Sequence, residues 1–113
     1  MQRQNQITAL WTQIRQWRHE AGMDLEPSPI LISQPPKTVS DAKRACPDNH
    51  QVPKSCGDIC SIADAICDNA EAICDLADQL GKQDEFAQGK CTSAKASCRE
   101  AKQRCCACSD KDQ

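Results

Sequence analysis

Apolar residues recur through the first 22 positions at the spacing of a helix. Ile7, Leu10, Trp11, Ile14, Trp17 and Ala21 fall on one stripe. Arg15, Arg18, His19 and Glu20 fill the last turns as a polar face, and Gly22 is a natural stop. An isolated helix of this length is marginal in water, so residues 1–22 read as an amphipathic arm that must dock on something. All six prolines follow, between positions 27 and 53. Residues 23–54 therefore read as a proline-rich linker, extended and of polyproline character over 22–37, where the Ile30-Leu31-Ile32 triplet can lie along a surface groove. A short helix is expected near 40–46 with Ser40 as its cap, then a turn-rich loop over 47–53 that holds His50.

From Ser55 the pattern changes. Ser55 with Asp58 resembles a capping box, followed by a long helix to Leu80 and Gly81 as its stop. A second long helix is expected from near Asp84 to Cys106 or Cys108, joined to the first by the tight connection Gly81-Lys82-Gln83. Residues 55–108 thus form a helical hairpin, and residues 109–113 a polar tail. The expected fold class is all-α: an antiparallel helical hairpin, preceded by the amphipathic N-terminal helix and the proline-rich linker.

Cysteines set the register of that hairpin. Cys60, Cys67 and Cys74 lie seven apart on the first long helix, as do Cys91, Cys98 and Cys105 on the second. A seven-residue step returns to nearly the same face, so each triplet is a line. Residues that face each other in an antiparallel hairpin have numbers with a constant total. Cys60 with Cys105, Cys67 with Cys98 and Cys74 with Cys91 all total 165, whose midpoint lies between Lys82 and Gln83, inside the turn inferred from Gly81. Ala63, Ala70 and Ala77 face Ala101, Ala94 and Ala87 with a total of 164, and Cys56 with Cys108 continues that register. Helix axes ordinarily pack 8–10 Å apart, whereas a disulfide needs Cα atoms about 4.4–6.8 Å apart. A seam of cysteine and alanine permits that approach. By elimination Cys46 and Cys106 remain as a fifth pair.

A second line, Ile59, Ile66, Ile73 and Leu80, borders the seam and needs an apolar cover. Its candidates are the stripe of residues 7–21 within the chain, or a partner protein, a second copy of the chain included.

Composition explains why cross-links are needed. The 113 residues hold ten cysteines but only two Trp, one Phe and no Tyr. A core of such small side chains buries little area, and the cysteine share is that of a disulfide scaffold. The net charge of −2 and pI of 5.6 leave no electrostatic case for nucleic acid. No apolar run approaches the ~18 residues of a membrane span. Residues 1–6 are polar and lack the apolar core of a secretory signal, so no signal peptide is expected in the chain.

The alternative chemistry is soft thiolate binding of Cu(I) or zinc in a reducing compartment. Cys46, Cys56, Cys106 and Cys108, with His50, are the candidate ligands. Single cysteines seven apart, each facing one partner, suit two-centre bonds better than the clustered spacing of metal sites. The chain has no C-x-x-C redox motif, no nucleophile–base–orienter set and no glycine-rich phosphate loop, so no catalytic residue is named and no enzyme is expected. Asp64, Asp68, Glu71, Asp75 and Asp78 make one long helix acidic, and Lys90, Lys95, Arg99, Lys102 and Arg104 make the other basic, which favours their pairing.

The elements CDNAEAIC and KCTSAKASC, within roughly the last half of the chain, resemble cysteine-rich helical-hairpin proteins of uncharacterised function predicted in deltaproteobacterial genomes, many of them putative lipoproteins. That resemblance implies an exported, periplasmic or extracytoplasmic location and no activity. The architecture is also similar to the twin-cysteine coiled-coil-helix-coiled-coil-helix proteins, although the cysteine interval here is shorter. The expected function is a non-enzymatic structural or interaction subunit that docks on a larger assembly through its N-terminal arm and the Ile59/Ile66/Ile73/Leu80 face.

Overall fold

The computed structural model describes residues 2–46 and 54–108. The expected loop at 47–53, His50 within it, and the tail at 109–113 lie outside the described residues. All regular structure among the described residues is helical: α1 (Gln2–Glu20), α2 (Pro29–Ser33), α3 (Val39–Lys43), a 3-10 turn (Lys54–Cys56), α4 (Gly57–Leu80) and α5 (Glu85–Ala107). Helices α4 and α5 form the antiparallel hairpin, α1 packs mainly on α4, and the segment carrying α2 and α3 straps across α5.

Helix α1 starts five residues before its apolar stripe. Two side chains anchor this polar first turn to the closed end of the hairpin: Arg3 Nε donates to Gln79 Oε1 at 2.8 Å, and Gln4 Nε2 donates to Asp84 Oδ2 at 2.9 Å. At the other end, the Gly22 N–H reaches the His19 carbonyl (3.0 Å) and the Met23 N–H reaches that of Arg18 (2.8 Å). That paired closure needs a left-handed residue, and Gly22 has φ 76°.

The linker departs from the expected extended form. Ser28 Oγ accepts the Ile30 N–H at 3.3 Å and Pro29 enters the first turn, so Pro29–Ser33 closes as a short helix. Helix α3 is capped by Thr38 rather than Ser40, its Oγ1 accepting the Asp41 N–H at 3.0 Å. The chain enters α4 through the 3-10 turn that holds Ser55, and Cys56 takes the cap position.

Ile7, Trp11 and Ile14 of α1 and Ile66 and Ile73 of α4 belong to one buried core, with Leu10, Trp17, Ile59 and Leu80 at its margin. Of the two covers the sequence allows for the isoleucine line, this is the one within the chain. The α1 stripe and the isoleucine line cover each other, which removes the most apolar area from water for the least ordering of chain. Ile7, Ile14, Ile66 and Ile73 have no exposed surface left for a partner, and Trp11 retains 4%. Asn69 pins the pair at its edge, its amide donating to the Leu10 carbonyl (3.1 Å) and Gln13 Oε1 (2.8 Å).

The expected charge pairing between the long helices is also redirected. Among the described residues Lys102 with Asp64 is the ion pair that joins α5 to α4. Lys95 Nζ instead donates to the Lys37 carbonyl (3.2 Å), Arg99 Nη2 to the Asp41 carbonyl (2.7 Å), and Lys90 lies 5.2 Å from the Trp11 ring centre. A proline-rich strap is short of N–H donors but keeps every carbonyl, so a cationic helix is its natural counterpart.

Asp84 starts α5, its Oδ1 accepting the Ala87 N–H at 3.0 Å. That bond, followed by the one from Gln4, holds the carboxyl below its ordinary value. A lowered carboxyl stabilises the fold fully above the unfolded value, near pH 4, and loses that contribution as the pH falls through its own lower midpoint. NMR titration is expected to place the Asp84 midpoint below that of free aspartate. Replacing Gln4 with Ala should move it upward.

Candidate functional site

The cysteine seam is the chemical feature that organises the molecule. Five disulfides join Cys46–Cys106, Cys56–Cys108, Cys60–Cys105, Cys67–Cys98 and Cys74–Cys91. These are the pairs the register defines, with the fifth pair left by elimination. Across the three central rungs the Cα atoms stand 4.9, 4.6 and 4.7 Å apart, and 5.4 and 6.1 Å at the Cys46–Cys106 and Cys56–Cys108 bridges. The alanines between the rungs are what allow it: Ala63, Ala70, Ala77, Ala87 and Ala94 are wholly buried and Ala101 nearly so. Replacing Ala94 with Leu should therefore wedge the seam apart between Cys91 and Cys98. The expected result is free thiol in the purified protein and a loss of about 1–3 kcal/mol of stability, checked by thiol titration and denaturant unfolding. Full bridging and unchanged stability would show that the seam tolerates a larger side chain.

Three bridges converge on Cys105, Cys106 and Cys108 at the open end of the hairpin. Neighbouring residues on a helix point about 100° apart. Cys105 can thus face α4 while Cys106 reaches Cys46 just beyond α3. The proposed metal ligands Cys46, Cys56, Cys106 and Cys108 are all consumed here, in two bridges. A bridged sulfur offers no thiolate to a metal. Among the described residues no group of three or more His, Cys, Asp or Glu is arranged to hold an ion, and no described helix is long and apolar enough to cross a membrane.

The second organising feature is Arg18, which the polar-face reading misplaced. Its side chain is buried, with the residue 1% exposed. Nε donates to the Asp24 carbonyl (2.6 Å), Nη2 to the Glu26 carbonyl (2.8 Å) and Nη1 to Ser97 Oγ (3.3 Å), while Nη1 also lies 3.0 Å from Glu100 Oε1. Glu100 Oε1 further accepts the Ser28 N–H at 3.2 Å. One guanidinium thereby ties α1, the start of the strap and α5 together. Its position carried a signal: Ile7, Trp11, Ile14, Arg18 and Ala21 follow alternating steps of four and three, the spacing of a buried seam. Trp17 sits beside that line and is half-buried, and His19 is exposed.

These features define a disulfide-stapled helical domain. No protein-family model, curated protein or solved structure matches the chain.

Proposed function

We propose that the chain is a non-enzymatic structural or interaction subunit working in an oxidising, extracytoplasmic compartment. The observation that carries this reading is the complete use of its cysteines: all ten are spent in intramolecular bridges. Such bridges persist where thiols are oxidised and are rare in the cytosol. The resemblance to predicted exported cysteine-rich hairpins points the same way. With the α1 stripe buried, the apolar surface left for contact with an assembly is Leu25, Ile30 and Ile32 of the strap, Ile30 being 75% exposed, and Phe86 of α5.

The test is to produce the chain in the cytosol and in the periplasm of one bacterial host. The periplasmic product is expected to be soluble, fully bridged and metal-free, and the cytosolic product to be poorly folded. A folded cytosolic product with free thiols and stoichiometric copper or zinc would overturn the reading in favour of a thiolate metal protein.

A further inference from the structure

The five bridges are not equally protected. Cys67 and Cys98 have no exposed surface, whereas Cys74 and Cys91 are both half-buried, as are Cys46 and Cys106. Cys74 and Cys91 line a hollow of about 280 Å3 between α4, α5 and the strap, whose charged walls are Lys37, Lys95, Glu71, Asp75 and Asp78. Lys95 is fixed at its rim through the bond to the Lys37 carbonyl. Thiol–disulfide exchange depends on access to a sulfur and on how well the departing thiolate is stabilised. A hollow supplies the first, and the Lys37 and Lys95 ammonium groups favour the second against the Glu71, Asp75 and Asp78 carboxylates of the same wall.

We propose that Cys74–Cys91 is a reversible redox couple, reduced by a dithiol that approaches through this hollow, on a scaffold held by the other four bridges. One thiolate of the dithiol bonds to Sγ of one cysteine, the Sγ–Sγ bond breaks, and the other cysteine leaves as a thiolate. The second thiolate of the reductant then attacks its own sulfur in the mixed disulfide and releases the first cysteine. The dithiol ends as a disulfide, and its two protons complete the Cys74 and Cys91 thiols.

The hairpin is held closed at this end without the bridge. Gln88 Nε2 donates to the carbonyls of Ala77 and Gly81, both at 3.1 Å, Asp84 caps α5, and Ala77 and Ala87 are wholly buried. The two thiols therefore stay opposed and can close again.

The experiment exposes the native, fully bridged chain to limiting dithiothreitol, traps thiols with N-ethylmaleimide and maps the labelled peptides. Equal labels are expected first on Cys74 and Cys91, about tenfold or more ahead of Cys67 and Cys98, with helical circular dichroism retained. Reoxidation should restore the same pair. In the Lys95→Gln protein the first labelling should slow severalfold. First labels on Cys46 and Cys106, simultaneous labelling of all ten cysteines, or a rate unaffected by Lys95→Gln would each overturn the proposal.

Discussion

Reduction of all five bridges followed by alkylation will unfold the chain at neutral pH. The largest wholly buried apolar side chains are four isoleucines, and most of the remaining core is alanine and cysteine. Because the rungs are nested, each bridge closes a short effective loop once its neighbours are in place. On the chain-entropy model each then contributes about 3 kcal/mol through the unfolded state. Five such contributions together rival the ~5–15 kcal/mol that an ordinary domain possesses in total. Far-ultraviolet circular dichroism of the alkylated chain should show most helix lost and no cooperative melting. A native-like spectrum with a cooperative transition would mean that packing alone carries the fold.

Replacing Arg18 with Ala should be the most damaging single change outside the cysteines, costing about 3 kcal/mol or more. The substitution strands Glu100 and removes the donors from two strap carbonyls and Ser97. The attraction to Glu100 is a modest part of this, because that side chain is 21% exposed. Arg18→Lys should recover less than half of the loss, since one ammonium cannot span carbonyls that the planar fork reaches from different nitrogens. Urea unfolding with the bridges intact checks both variants. A Lys variant equal to wild type would reduce Arg18 to a point charge.

The hairpin was legible because its constraints are periodic. Cysteine and alanine at seven-residue steps, with Gly81 opening the turn that holds their midpoint, leave one register that satisfies every pair. The paths of α1 and the strap were less legible, because polar contacts that no period announces decide them. Arg18 lies in the line of buried positions, yet its charge argues for solvent. The acceptors that reverse that argument are the backbone carbonyls of Asp24 and Glu26, which become neighbours only once the strap has turned back after Gly22. The polar start of α1 is helical for a similar reason: Arg3 and Gln4 find Gln79 and Asp84, some 76 and 80 residues away along the chain. In the linker, proline content suggested extended chain, while Ser28 and Thr38 each supplied a local cap that made a helical turn cheaper.

The ladder itself is tested most directly by mass spectrometry of the unreduced protein. The intact mass should lie ten hydrogens below that of the reduced chain, with no uptake of alkylating agent before reduction. Acidic digestion should then yield peptides linking Cys60 to Cys105, Cys67 to Cys98 and Cys74 to Cys91, with Cys56–Cys108 and Cys46–Cys106 beside them. Free thiols in the isolated protein, or a ladder shifted by one step so that Cys60 joins Cys98, would contradict the account.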